Sequence, residues 1–231
     1  MDWSLFKRIL SHLVVVLTIA SPALARAQDA LTMADAPVFK VGDSWKFRSQ
    51  DVGNRRDPTW YANTVQSADE KEVLLYGEQG DRKFWWIYDV KSNKLLMRFN
   101  YDADVADKRG RKTADNSGND ARVQFPLQVG RKWPINEKFL SAQYGRLEND
   151  LKAVVTAVEK VKTEAGEFDA FKIEIEGRWN NRGSGNSGRY LETQWYAPSA
   201  KRVVKIEGKT FVQASVFDQW REELLEFKPG L

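Results

Sequence analysis

Phe171-Lys172-Ile173-Glu174-Ile175-Glu176 alternates apolar and charged side chains without interruption. Because successive side chains of a β-strand point to opposite faces, this alternation predicts a strand with one buried face and one solvated face. Sheets of that kind are commonly antiparallel. The stretch therefore predicts an antiparallel sheet with a core on one side.

Similar short segments, rich in aromatic and β-branched residues, fill the chain on both sides of this stretch. Turn signals separate them, among them Gly80-Asp81, Ala165-Gly166 and Gly208-Lys209, and connections this short make neighbouring strands antiparallel. The sequence predicts an all-β fold, mainly antiparallel, built as a curved sheet, a half-barrel or a two-layer sandwich. Further strands are expected at 45–52, 60–67, 72–77, 83–88, 95–101, 151–161, 189–196, 202–207, 210–217 and near 220–227.

Two motifs recur and suggest related halves. Val41-Gly42-Asp43-Ser44-Trp45 returns 88 residues later as Val129-Gly130-Arg131-Lys132-Trp133, and Ile87-Tyr88 corresponds to Trp195-Tyr196. The β domain is therefore expected to span 28–231, with similar halves 38–101 and 123–227 joined by a polar loop at 102–122. The alternative is that V-G-x-x-W is simply a good way to begin a strand.

The first 27 residues have the pattern of an export signal. Lys7 and Arg8 precede an apolar run from Ile9 to Ala20, and small residues at Ala25 and Ala27 favour cleavage after Ala27; cleavage two residues earlier is the alternative. As a helix the run would rise about 18 Å, whereas the hydrocarbon core of a bilayer is about 30 Å thick. We expect a periplasmic protein without a stable membrane span after cleavage.

Composition excludes several chemistries. The chain of 231 residues has 36 Lys and Arg, 32 Asp and Glu, no Cys and a single His, His12, which lies within the leader. A mature chain without His or Cys has no Ser-His-Asp triad, no Cys nucleophile and no His or Cys zinc site. Basic and acidic residues alternate, so no basic face predicts nucleic-acid binding. We expect no enzyme activity, cofactor or metal.

Three motifs stand out in the second half of the chain. They are Phe125-Pro126-Leu127-x-Val129-Gly130-x-x-Trp133, then Val158-Glu159-x-Val161-x-x-x-Ala165-Gly166-x-Phe168-Asp169-Ala170-Phe171-Lys172-Ile173, and Trp195-Tyr196-Ala197-Pro198. In this order they resemble the motifs of an uncharacterised family of exported, β-rich bacterial envelope proteins. The resemblance covers roughly 123–207 and implies an envelope location and a β-fold, with no catalytic residue to carry over. The chain is also similar in general style to the half-barrel sheets of bacterial lipoprotein carriers.

Adjacent aromatic residues are the best candidates for a binding surface. Neighbours in a strand face opposite sides, so one member of each aromatic pair must face solvent, a second layer or a ligand. Such rings could stack on sugars or hold an acyl chain, whereas the structural alternative is a sheet covered on both faces. The candidate ligand-binding residues are Trp60, Tyr61, Trp85, Trp86, Tyr88, Trp195 and Tyr196.

The function expected from these features is non-catalytic: ligand binding or envelope maintenance, with a lipid, a glycan or an envelope protein as partner. One alternative is a carbohydrate hydrolase that uses two carboxylates, which needs neither His nor Cys. A structural subunit of an envelope assembly is another. Calcium binding by Asp102, Asp104 and Asp107, or by the group Asp115, Asn116 and Asp120, is disfavoured because neither set has the spacing of a calcium loop.

Overall fold

The computed structural model describes residues 31–53, 57–100, 111–112, 117–141 and 145–231, so the predicted leader lies outside the described residues. The described part belongs to one compact unit, Leu31–Leu231. It forms the strands β1 (Met33–Ala34), β2 (Ser44–Asp51), β3 (Thr59–Ala68), β4 (Glu72–Gln79), β5 (Arg82–Asp89), β6 (Leu95–Asn100), β7 (Arg111–Lys112), β8 (Ser117–Asn119), β9 (Leu127–Gln128), β10 (Lys132–Ser141), β11 (Gly145–Thr163), β12 (Gly166–Asn181), β13 (Ser187–Ala197), β14 (Arg202–Val212) and β15 (Ser215–Lys228), with a 3₁₀ helix at Pro198–Ala200.

Thirteen of these strands form one antiparallel sheet in the order β7-β6-β5-β4-β3-β2-β15-β14-β13-β12-β11-β10-β8, and β1 pairs with β9. The large sheet is curved and does not close into a barrel. Both results confirm the predicted fold class. Within the ranges that the structure describes, no helix is long and apolar enough to cross a membrane.

One face of the sheet, here called the inner face, carries the core. Phe171, Ile173 and Ile175 are buried there, whereas Glu174 and Glu176 are exposed on the opposite, outer face, as the alternation predicts. Strand pairing places Trp45 and Phe47 of β2 on the inner face as well. Two buried clusters result. One lies mainly in the second half of the chain, and the other combines residues of both halves around Trp45 and Phe47.

The two V-G-x-x-W motifs form the same turn. Gly42 and Gly130 have φ of 88° and 89°, values that favour glycine. The Gly42 N–H donates to the Val65 carbonyl at 2.9 Å, and the Gly130 N–H donates to the Val155 carbonyl at 2.8 Å. The turns thus introduce β2 and β10 in the same manner. Duplication of the halves, and the domain bounds with it, stays a prediction.

The predicted turn at Gly208-Lys209 is wrong. Gly208 lies in the middle of β14, and a Cβ built there would come within 2.2 Å of the Trp220 ring. Glycine is therefore required for the close approach of an indole from β15. The chain reverses instead at Gln213, which has a φ of 53°. The break expected near 217–220 is also absent, because β15 continues through it.

Two further regions differ from expectation. β10, which contains Pro134, is not among the predicted strands, and the strands β7 and β8 fall within the segment predicted as a loop at 102–122. Residue Arg122, at the end of that segment, makes an ion pair with Glu137 of β10. The segment before β9 thus contributes to the inner face.

Candidate functional site

A cavity of about 330 Å³ lies on the inner face, between the two buried clusters. Strands from both halves line it, and the segments that precede β2 and β9 complete the wall. Its aromatic lining consists of Phe47, Tyr61, Tyr88, Phe125 and Tyr196, and its charged lining of Asp120, Arg122, Glu137, Lys201, Arg202 and Glu222.

Three of the seven predicted binding residues, Tyr61, Tyr88 and Tyr196, meet in this cavity. Tyr196 is buried, and its ring packs edge-on against Phe125 at 5.1 Å. These tyrosines come from β3, β5 and β13, so only the folded sheet brings them together.

Trp86 also lies on the inner face, but it packs into the buried cluster around Trp45 and Phe47. Its ring stacks on Phe84 at 5.6 Å and covers Gly77, where a Cβ would overlap the indole. Trp86 is absent from the cavity lining. Its contacts are those of a core residue.

The other three predicted residues, Trp60, Trp85 and Trp195, lie on the outer face. Trp60 is half exposed, and Trp85 packs against the Tyr76 ring at 5.0 Å. Trp195 is buried under the β11–β12 hairpin and donates its Nε1–H to the Glu159 carboxylate at 2.6 Å. The seven aromatic residues are therefore divided between two faces, and their binding role stays a prediction.

A network of charged and amide side chains crosses the inner face beside the cavity. Arg122 donates to Glu137 at 2.6 Å and approaches Glu192 at 4.0 Å. Glu192 accepts from the Tyr190 hydroxyl at 2.7 Å and from the Gln194 amide at 2.8 Å. Burial alone would lower the pKa of Arg122, but its electrostatic interactions with Tyr190, Glu192 and Glu137 hold it well above its usual range.

Two buried atoms of this network have no hydrogen-bond partner among the described residues. They are Gln194 Oε1 and Arg122 Nη1, and both residues line the cavity. Because the Gln194 amide nitrogen already donates to Glu192, its oxygen is free to accept. A buried polar atom left unpaired costs stability, so these atoms favour a polar occupant of the cavity.

Arg202 faces the cavity from the first residue of β14. Its guanidinium lies over the Trp45 ring at 5.2 Å and over the Tyr88 ring at 5.9 Å. Among the described residues its side chain makes no ion pair or hydrogen bond. The neighbouring Lys201 differs, because its Nζ binds the buried Asp43 carboxylate at 2.6 Å.

Glu222 of β15 lies on the same wall. Burial raises the pKa of the Glu222 carboxyl, and the Tyr61 hydroxyl and Arg202 oppose that rise. Burial and the nearby Glu222 in turn raise the pKa of Tyr61 well above its usual range. The cavity thus holds an acid that binds its proton more tightly than a free carboxyl does.

Glu137 and Glu222 are the two glutamates that line the cavity. The hydrolase alternative requires two carboxylates in one site. Glu137 Oε1 already accepts from Arg122 and Asn149. Among the described residues no three His, Cys, Asp or Glu side chains are grouped to hold a metal ion. Of the calcium candidates, Asp102, Asp104, Asp107, Asp115 and Asn116 lie outside the described residues.

Sequence reasoning missed the polar part of the site: Arg122, Gln194, Arg202 and Glu222. One signal was present, because Glu192 and Gln194 alternate with Leu191, Thr193 and Trp195 and share the face of the buried Tyr196. Polar residues at inner positions of a strand indicate a buried polar site. No local pattern connects Arg122 with them.

No family model matches the chain, and no curated protein matches it. Two solved structures are similar in fold. An exported protein with a YmcC-like fold from Bacteroides fragilis has 15% identity and a TM-score of 0.53, covering 84% of this chain and 99% of that one. A lipoprotein from Parabacteroides distasonis has 13% identity and a TM-score of 0.51, with the same coverage. At such identities the likeness concerns the fold.

Proposed function

We propose that this chain is an exported protein of the cell envelope that binds a small polar ligand in the inner cavity without changing it chemically. Export rests on the leader at 1–27 and is supported by the fold, which is shared with an exported protein and a lipoprotein. N-terminal sequencing of the protein from its host should give a chain that begins at Gln28. An intact Met1 in the mature protein would contradict export.

The observation that carries ligand binding is the pair of unpartnered buried atoms, Gln194 Oε1 and Arg122 Nη1, in the wall of a cavity of about 330 Å³. Ligand pockets in proteins range from about 300 to 1,000 Å³ and combine apolar walls with a few placed polar groups. Here aromatic rings supply the apolar walls. The charged lining favours a polar ligand over an acyl chain.

A carboxylate hydrolase is the second candidate, because burial raises the pKa of Glu222 and Glu137 lies in the same cavity. Glu137, however, already serves as an acceptor for Arg122 and Asn149. That engagement makes it a poor nucleophile or base and favours simple binding. Recovery of an unaltered ligand after prolonged incubation supports binding, whereas a cleaved product would support the hydrolase.

Native mass spectrometry of protein purified from its own host tests the proposal. The wild-type chain should carry a discrete adduct that denaturation releases. Leu95→Trp places an indole in the cavity wall and should remove the adduct. Leu96→Trp is the matched control, because Leu96 is the adjacent, exposed residue of β6. A bare wild-type mass, or an adduct that survives Leu95→Trp in a folded protein, would contradict the proposal.

A further inference from the structure

The chemical class of the ligand can be read from the charges of the cavity wall, and the argument rests on the proposed function. Arg202, Arg122 and Lys201 are the three basic residues of that wall. Lys201 is paired with Asp43, and Arg122 is paired with Glu137. Only Arg202 lacks a carboxylate partner within the described part of the chain.

Two aromatic rings hold the side chain of Arg202 in place, although it has no carboxylate partner. The guanidinium lies over both Trp45, a fully buried ring held by a 2.7 Å hydrogen bond to the Ala200 carbonyl, and Tyr88. A guanidinium has five N–H donors in a planar fork that matches a carboxylate or a phosphate. Its contacts with the two rings are cation–π contacts, and its N–H donors have no partner among the described residues.

Glu222 is not the missing carboxylate partner of Arg202. Glu222 interacts electrostatically with Arg202, but no ion pair joins these two described side chains. An anion held by Arg202 would take the place that a carboxylate of the protein usually occupies.

At Gln194 of the neighbouring strand β13 the site requires a donor. Gln194 is 4% exposed, and its free Oε1 accepts only. A ligand that satisfies both residues carries an anionic oxygen for Arg202 and a hydroxyl or amine for Gln194. The Tyr61 and Phe47 rings, stacked at 5.1 Å, also line the cavity and offer apolar contact to a compact ring.

We infer that the cavity binds a compact organic anion, carrying a carboxylate or a phosphate that pairs with Arg202 and a hydroxyl that donates to Gln194.

Calorimetric titration of the mature protein, after removal of any bound adduct, compares three probes: D-glucuronate, D-glucose 6-phosphate and D-glucose. At least one acid should bind ten times more tightly than the neutral sugar, since charge-assisted hydrogen bonds are stronger than neutral ones. The better of the two acids distinguishes carboxylate from phosphate. Arg202→Gln should remove the preference for the acid, and Arg202→Lys should restore part of it.

Arg189→Gln is the matched control. Arg189 also lies over an aromatic ring, Phe211 at 4.6 Å, but it is exposed and lies outside the cavity. This variant should bind like the wild type. Glucose binding equal to that of both acids would overturn the anion inference while leaving ligand binding intact. An acid preference that survives Arg202→Gln, or no binding of either acid, would also overturn the inference.

Discussion

Trp45 and Trp133 occupy equivalent positions 88 residues apart and are fixed in the same way. Each indole is buried and donates its Nε1–H to a backbone carbonyl far from its own strand, Trp45 to Ala200 at 2.7 Å and Trp133 to Ala121 at 2.8 Å. In the first half this bond ties β2 to the 3₁₀ helix before β14, and in the second it ties β10 to the segment that carries Arg122. Both tryptophans thus position walls of the cavity.

Replacing either tryptophan should therefore destabilise the fold. Trp133→Phe removes the hydrogen bond to the Ala121 carbonyl, which contributes about 0.5–1.5 kcal/mol, and the lost ring volume adds to that cost. Trp60→Phe, at a half-exposed position on the outer face, should change the free energy of unfolding by less than about 0.5 kcal/mol. Urea denaturation measures both. Equal effects of the two changes would contradict the role of the indole hydrogen bond.

Asp43 should make the fold sensitive to acid. Its fully buried carboxylate accepts from Lys201 and from the backbone N–H groups of Lys40 and Gly230. Burial raises the pKa of Asp43, but these three donors outweigh it and lower the pKa below the usual range. Asp43→Asn leaves Lys201 without its counter-charge and should cost about 3 kcal/mol at neutral pH.

The pH dependence of that cost follows from the lowered pKa of Asp43. The stabilisation is complete above the unfolded-state pKa of about 3.9 and is lost as the pH falls through the folded-state pKa. The difference in unfolding free energy between wild type and Asp43→Asn should therefore shrink between pH 5 and pH 2. A constant difference over this range would contradict the assignment.

Glu222 should make the fold less stable as the pH rises, whereas Asp43 makes it less stable as the pH falls. Its folded-state pKa is raised by burial, so the folded protein binds more protons than the unfolded chain, and stability falls as the pH rises through that interval. Glu222→Gln removes the cost of the buried charge. It should raise the melting temperature at pH 8 and match the wild type at pH 3. A lower melting temperature at pH 8 would show that attraction to Arg202 outweighs burial.

Gly208 and Trp220 should be energetically coupled. A Cβ at position 208 meets the Trp220 ring, and overpacking of this kind costs about 1–3 kcal/mol. Gly208→Ala should therefore be costly in the wild type and nearly neutral in a Trp220→Ala background. Unfolding free energies of the two single variants and the double variant give the coupling. Additive effects would contradict the packing described.

Much of the fold could be predicted from alternation, because a strand with one buried face has an apolar side chain at every second position. Phe171, Ile173 and Ile175 were placed correctly for this reason. Gly208 predicts a turn, but the structure requires this glycine because an indole from the next strand packs against it. The local sequence shows only the glycine and not that contact. The prediction thus failed where a contact between strands overrides a local turn signal.

The site was less predictable than the fold. Alternation could separate Trp85 from Trp86, but it could not say which face is the inner one. Arg122 lies in a polar segment that resembles a loop, and its partner Glu137 is on a strand that the sequence did not reveal. The guanidinium of Arg202 lies over two rings from other strands, Trp45 and Tyr88, and no local pattern in the sequence shows these contacts.

The most direct test of the central claim is native mass spectrometry of the host-purified protein beside its Leu95→Trp and Leu96→Trp variants. Occupancy of the inner cavity predicts an adduct on the wild type and on Leu96→Trp, and none on Leu95→Trp. A wild-type chain without an adduct, or the same adduct on all three folded proteins, would contradict a ligand in this cavity.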